Sequence, residues 1–118
     1  MSAGFCHLHV HTQHSLLDGA IRIDNLLEKC GEYGMESVAL TDHGAMYGAL
    51  EFYLKAQKKG IKPIVGCEFY IAPGSRTEKK QTDAGPAFHL ILLAMNYKGY
   101  KNLMKLSGIA QFEGFYYK

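Results

Sequence analysis

Cysteine is scarce in this chain and poorly spaced for a framework. Cys6, Cys30 and Cys67 are odd in number and form no C-x-x-C pair, which argues against a disulfide scaffold or a zinc knuckle. Reduced thiols of a cytoplasmic protein, packed as small hydrophobes, are expected instead. No apolar run approaches the ~20 residues of a membrane span. The opening residues carry no basic segment followed by an apolar core, so no secretory signal is expected. Neither sign of charge dominates: 13 Lys and Arg against 11 Asp and Glu leave +2 at pH 7. So small an excess permits a nucleic-acid partner without arguing for one. There is no G-x-x-x-x-G-K-[ST] phosphate loop and no G-x-G-x-x-G turn, and the glycine-containing stretches at 31–34 and 44–48 match neither. No Ser or Cys nucleophile stands in a recognisable setting.

What is present is an ordinary composition, 47% hydrophobic and 20% charged over 118 residues. That suits at most one small domain with a core of its own. Near its start stands Cys6-His7-Leu8-His9-Val10-His11-Thr12, with three imidazoles on alternate residues. A strand turns successive side chains to opposite faces, so positions 7, 9 and 11 share one side and Cys6, Leu8 and Val10 the other. The apolar side is expected to pack. One histidine in a strand is usually a satisfied core or surface residue, but three on one face each need a partner. A divalent cation on neutral imidazole nitrogens would supply one.

Further along, segment types alternate. Phe5 to Val10 reads as a strand, and Asp24 as the N-cap of a helix through Leu26, Leu27, Cys30 and Tyr33 that stops at Gly34. Ser37–Thr41 is a short buried strand. A second helix is expected from about Met46 to Lys59, with Lys55, Lys58 and Lys59 near its negative end and Gly60 closing it. Ile61 to Ile71 contains a third strand, and Pro73 to Pro86 is polar and rich in turn residues, an exposed loop. Phe88 to Met95 is a fourth strand, and Tyr100, Leu103, Met104 and Ser107 outline a last helix. Alternating strands and helices mean βα units and a parallel α/β sheet covered on both faces. A doubly wound sheet and a barrel both satisfy the pattern.

Polar residues recur at the strand ends. His9 and His11 end the first strand and Asp18 follows in "SLLDG"; His43 stands in "TDHG" after the second, 25 residues beyond Asp18. Glu68 lies another 25 residues on, where the third strand runs into Gly66-Cys67-Glu68 at or near its C-terminal end, and His89 opens the fourth. In βα barrels the C-terminal ends of the strands converge on one cleft. Four histidines, one aspartate and one glutamate exceed what a single tetrahedral zinc takes. They suit two or more divalent ions bridged by a carboxylate, a clamp for phosphoester displacement, so metal-assisted phosphoester hydrolysis is the chemistry inferred.

Other residues carry plainer readings. His7 is read as a hydrogen-bonded or buried neighbour of the ligands, and His14 as a solvated turn residue. Asp42 either holds a nearby backbone or ligand ring or binds metal directly, and both alternatives stand. Lys79-Lys80 reads as a solvated charge pair, and Tyr116-Tyr117-Lys118 as aromatics closing an element.

Together "HLHVHT…SLLDG", "LTDHGAMYG", "KPIVGCEFYIAP" and "HLILLAMNYKGYKNLMKLSGIAQFEGFYYK" resemble the PHP (polymerase and histidinol phosphatase) family. The similarity runs from about Phe5 to Lys118. H-x-H-T and T-D-H-G occur across the superfamily. The last two stretches are far more specific to the branch at the N-terminus of bacterial replicative DNA polymerase III alpha subunits. "HTQHSLLDG" differs from the more usual "HTEYSLLDG" at Gln13 and His14, outside the ligand set. The resemblance implies the N-terminal part of a distorted (β/α)7 barrel, here about four βα units of an incomplete barrel. It implies a cluster of up to three divalent metal ions, zinc or else manganese or magnesium. Motif by motif, the ligands would be His9, His11, Asp18, His43, Glu68 as the bridging carboxylate, and His89, with Glu68 and His43 in the catalytic role.

The same resemblance implies a parent DNA-directed DNA polymerase, cytoplasmic, acting with DNA and other replication proteins and no membrane. The acidic triad of polymerase chemistry is absent from this stretch. Family members with intact clusters can act as metal-dependent 3′–5′ proofreading exonucleases, whereas others that have lost ligands keep the domain as a scaffold. A histidinol-phosphate-phosphatase-like hydrolase is a third reading, disfavoured by the C-terminal run. The family cluster takes about three more ligands from the later part of the barrel, and a barrel typically needs ~250 residues. Residues 1–118 are therefore expected to be a single partial domain, truncated before that part and prone to self-association through its open edge.

Overall fold

The computed structural model describes residues 2–16, 18–78 and 87–114. Its elements run α1 (Ile23–Glu32), β1 (Ser37–Leu40), α2 (Ala49–Lys58), β2 (Lys62–Ile71), β3 (Phe88–Leu93) and α3 (Tyr97–Ile109), and a π-helical turn over Ala110–Gly114 follows. The strands form one sheet in the order β1-β2-β3. β1 and β2 are parallel, pairing Ser37 with Lys62 through Leu40 with Val65.

Both early helices end as the glycines foretell. Gly34 (φ 65) and Gly60 (φ 69) take the left-handed conformation that side chains with a Cβ resist. After α1, Gly34 N–H donates to Gly31 and Met35 N–H to Cys30; after α2, Gly60 N–H donates to Gln57 and Ile61 N–H to Ala56. This paired closure satisfies orphan carbonyls and turns the chain straight into the next strand. Helix starts differ from expectation. Arg22, with no side-chain cap, precedes α1, and Asp24 lies inside its first turn, where its charge still favours the positive end of the dipole. α2 begins at Ala49 because residues 46–48 form a turn. α3 begins at Tyr97, earlier than the apolar spacing suggested, because the Asn96 side chain accepts from Gly99 N–H at 3.0 Å.

Ile23, Leu26, Leu27 and Cys30 of α1 and Ala49, Phe52 and Ala56 of α2 pack on Val38 and Leu40 of β1, with Ile61 beside them. Cys67 and Phe69 of β2 form a second cluster with Leu103 of α3. Two histidine-bearing segments depart from a regular parallel sheet. The stretch Phe5–Val10 is extended but is not a ladder strand. Ala39 N–H donates to His7 O and Thr41 N–H to Val10 O. The two-residue step from Ala39 to Thr41 thus spans three residues of the neighbour, and this slip breaks the two-residue period. Val10 packs on the core, while Leu8 is left exposed and Cys6 only half covered.

The second departure corrects the all-parallel reading. β3 is antiparallel to β2, pairing Tyr70 with His89 and Gly66 with Leu93. A parallel return needs a crossover connection, usually a helix, and the polar segment between β2 and β3 shows no helical pattern. Residues 73–78 of that segment are exposed, while Lys79-Lys80 and the remainder to 86 lie outside the described residues, as do Tyr116-Tyr117-Lys118. Among the described residues no helix is long and apolar enough to cross a membrane, and the three cysteines are free thiols.

Candidate metal centre

Glu68 is the hub. It lies two thirds of the way along β2 and is 4% exposed. Its Oε2 stands 2.7 Å from His9 Nε2 and 2.6 Å from His11 Nε2, and its Oε1 stands 2.7 Å from His89 Nδ1. Burial pushes its carboxyl up, but hydrogen bonds from His11, His9 and His89 and the charge of His43 overcome that and hold it at about 2.

Register explains why His43 arrives beside it. β1 and β2 pair at a fixed offset of 25 residues, and the isolated bridge between His43 and Glu68 continues that offset past the end of β1. Glu68 N–H donates to Asp42 O and Gly44 N–H to Glu68 O, so the sheet reaches the site as backbone after its regular pairing stops. His43 Nε2 lies 3.9 Å from Glu68 Oε2 and 2.6 Å from Asp18 Oδ2. Asp18 in turn stands 3.0 Å from His11 Nδ1.

His89 enters from the opposite direction. It opens its strand, which in a parallel sheet would put it at the far end. Because β3 runs antiparallel, its first residues meet the last of β2, where Glu68 and Tyr70 lie. Six residues singled out by the sequence, His9, His11, Asp18, His43, Glu68 and His89, therefore converge. They fall into three interlinked groups of donors: His9, His11 and Glu68; His11, Asp18 and His43; and His43, Glu68 and His89. Within each group the donor atoms lie within 4.8 Å of one another.

The loop between His11 and Asp18 is held by groups that spacing did not single out. Buried Asp42 accepts from Thr12 N–H at 2.6 Å and from the Thr12 hydroxyl at 2.9 and 3.1 Å. Of its two readings, the hold on a nearby backbone is the one these contacts show. Ser15, also buried, donates to Asp18 Oδ1 at 2.8 Å and accepts from His43 N–H at 3.2 Å. Burial raises the Asp18 carboxyl, but the Ser15 bond and the His11 and His43 rings outweigh it, and the group titrates below its ordinary value. Ser15 and Asp18, three residues apart, carry a local turn signature that could have been read.

Two histidines depart from their expected places. His7 is exposed and its ring meets the edge of Phe5, centroids 4.8 Å apart, because the slip against β1 turns it away from the cluster. His14 is half-buried rather than fully solvated. It is packed against Gly48, where a Cβ would come within 2.6 Å of the ring, and its Nε2 is buried 3.6 Å from Glu51 Oε2. Tyr70 was missed altogether. Its hydroxyl lies 3.2 Å from His43 Nδ1, and the signal available was its position two residues beyond Glu68 on the same strand face. Burial, then the charges of Asp18 and Glu68, keep its phenol protonated above the ordinary range. Cys67, beside Glu68 but facing the core, has its thiol pushed up to about 12 chiefly by burial, so it is no thiolate donor.

Four imidazoles and two carboxylates form a donor set of borderline and hard ligands, which suits divalent cations. With the rings neutral, the two carboxylates leave the group net negative, and a divalent cation would balance it.

Residues 7–118 match the PHP domain family. A DNA polymerase III subunit alpha of Borreliella burgdorferi is 54% identical over 115 residues, 97% of this chain and 10% of that protein. Its counterpart in Aquifex aeolicus is 51% identical over 124 residues, 100% of this chain and 11% of that protein. That of Helicobacter pylori is 52% identical over 113 residues, 96% and 9% of the two. The chain thus spans about a tenth of the length of the curated relatives it matches. Among solved structures, a protein assigned as a metal-dependent phosphoesterase of Bifidobacterium adolescentis superposes with a TM-score of 0.58 at 19% identity, over 86% of this chain and 33% of that one. An amidohydrolase of Chromobacterium violaceum superposes at 0.56 and 21% identity, over 85% and 31%. At such identities the likeness is one of fold, that of part of a (β/α) barrel.

Proposed function

This chain belongs to the PHP domain family, and on that premise we propose that it carries a divalent-metal phosphoesterase site acting on the phosphodiester at a DNA 3′ end, within a bacterial replicative polymerase. The observation that carries this reading is the convergence of six donor residues from five separate stretches of chain into three groups that share His11, His43 and Glu68. Shared corners are what a cluster of neighbouring cations needs. The longer protein would be a DNA-directed DNA polymerase, meeting DNA and other replication proteins, as the names of the relatives at about half identity suggest.

In this reading His9, His11, Asp18, His43, Glu68 and His89 hold the cations. When bound, such cations would supply Lewis-acid stabilisation of phosphoryl charge and activation of water near neutral pH. Glu68 would use both oxygens as a bridge, since each already faces different imidazoles. His43 would face the same space from the end of β1, close to both carboxylates, and these two residues are assigned the catalytic role. Zinc is the favoured ion for so many imidazoles, with manganese or magnesium as alternatives, up to three in the complete domain. Ser15 and Asp42 would fix the loop that presents Asp18.

The test starts with elemental analysis of protein purified without chelator or affinity-tag nickel. Two or more zinc or manganese ions per chain are expected, with loss of metal in the His9→Ala and Glu68→Gln variants. A folded chain that takes up no metal would refute the reading. The second step is release of mononucleotide from a 3′-labelled oligonucleotide by the metal-loaded protein, with histidinol phosphate as the competing substrate. Metal uptake without turnover of either substrate would select the scaffold reading, and turnover of histidinol phosphate alone the small-molecule phosphatase.

A further inference from the structure

Tyr70 touches the cluster without belonging to it. Its hydroxyl lies 3.2 Å from His43 Nδ1. Its ring stacks on that imidazole, centroids 5.6 Å apart at 13°, and meets His89 edge-on at 4.8 Å. Yet the residue is 54% exposed, so core packing does not account for it. The backbone delivers it twice over. It lies two residues beyond Glu68, on the same face of β2, and directly opposite His89 in the antiparallel register. The turn after His43 closes against its ring: a Cβ on Gly44 would lie 3.6 Å from Tyr70 Cε2.

The two nitrogens of His43 keep different company. Nε2 faces Asp18 Oδ2 at 2.6 Å and Glu68 Oε2 at 3.9 Å, inside the cluster. Nδ1 faces the Tyr70 hydroxyl on the outside. A neutral imidazole carries one proton, so one nitrogen presents a lone pair only when the other holds the hydrogen. For Nε2 to accept a cation, Nδ1–H must donate outward, and the phenol oxygen is the acceptor in place. In the opposite tautomer Nε2–H would donate to Asp18 and the phenol O–H to Nδ1. A hydroxyl serves both arrangements by rotation, because it is donor and acceptor at once.

We infer that Tyr70 is a positioning residue for His43, its hydroxyl accepting from Nδ1–H when Nε2 takes a divalent cation. This rests on the cation-binding reading above. The partner on the far nitrogen of a ligand histidine typically governs metal affinity by 10- to 100-fold, roughly. Phenylalanine at 70 keeps the ring against His43 and His89 but cannot accept the proton.

The experiment is a zinc titration of the full chain and of Tyr70→Phe and Tyr70→Leu, with long-range proton–nitrogen NMR spectra of the histidine rings before and after zinc. The zinc-loaded protein should show His43 protonated at Nδ1 and metal-bound at Nε2. Tyr70→Phe should bind zinc about ten-fold more weakly or worse, with mixed His43 tautomers in the zinc-free form and little change in zinc-free melting temperature. Equal affinity in Tyr70→Phe with loss only in Tyr70→Leu would overturn the inference and leave a packing ring. A zinc-loaded His43 protonated at Nε2 would overturn it too, and this readout needs no variant to fold. Absence of zinc binding by the unmodified chain would sink the proposed function and this inference together, whereas unchanged affinity in Tyr70→Phe sinks the inference alone.

Discussion

Glu68 is a carboxylate buried at 4% exposure whose cost is met by three imidazoles. Its titration is held at about 2 against an ordinary 4.5. A depressed carboxyl stabilises the folded state above its unfolded value, and that contribution is lost as pH falls from about 4.5 through about 2. In metal-free protein, therefore, replacing Glu68 by Gln should flatten the dependence of melting temperature on pH within this window. Thermal scans in chelator from pH 2 to 5 check it, and parallel curves for the two proteins would refute it. Much at this scale was legible beforehand. All six donors were identified from their repeated placement near strand ends, since imidazoles and carboxylates are rare enough for a pattern to stand out. Thr12, Ser15 and Tyr70 were not, because hydroxyls are common and their work depends on which distant group they meet.

At the scale of elements, the site is where three kinds of backbone pairing meet. β1 hands over His43 by continuing its register with β2, β3 hands back His89 by running antiparallel, and the segment before α1 slips against β1. The slipped segment is pinned by Asp42, which takes both the N–H and the hydroxyl of buried Thr12. Asp42→Ala would leave those donors unsatisfied in the interior, at a cost of about 2–3 kcal/mol. It should also loosen the turn that presents Asp18, weakening zinc binding more than the lost stability alone explains. Chemical denaturation and a zinc titration of this variant measure the two effects separately; wild-type zinc affinity in a destabilised protein would show that the anchor serves folding only. Helix stops at Gly34 and Gly60 were legible, because a left-handed residue has few substitutes. The antiparallel turn of β3 was misread as parallel because strand composition does not encode direction. The absence of a helical pattern between Ile71 and Phe88 was the clue.

Across the whole molecule, helices α1 and α2 build one core on β1, and a smaller one forms under β2 and α3. The cluster links segments from residue 9 to residue 89. A cation bound there would tie them in the folded state alone. Zinc at 100 times its dissociation constant should add about 2.7 kcal/mol, a rise in melting temperature of roughly 10 °C or more for a domain of this size. Excess chelator should reverse it. A melting temperature unchanged by zinc in a protein that binds it would show that the unfolded chain binds zinc as tightly as the folded one.

The chain by itself determined which chemistry was available. Imidazole and carboxylate recurring near strand ends, no phosphate loop and no poised nucleophile left metal-assisted phosphoester hydrolysis as the coherent reading, and Gly34 and Gly60 marked where helices stop. Only the tertiary structure decided how each histidine reaches the cluster and from which side. His7, His9 and His11 are equivalent in a two-residue pattern, and a slip of one residue against β1 separates them. His14, His43 and His89 are likewise indistinguishable as letters. One is packed beside Gly48, one continues a parallel register and one arrives on an antiparallel strand. Residue type and spacing are local properties, whereas register and strand direction are settled by long-range hydrogen bonds and packing.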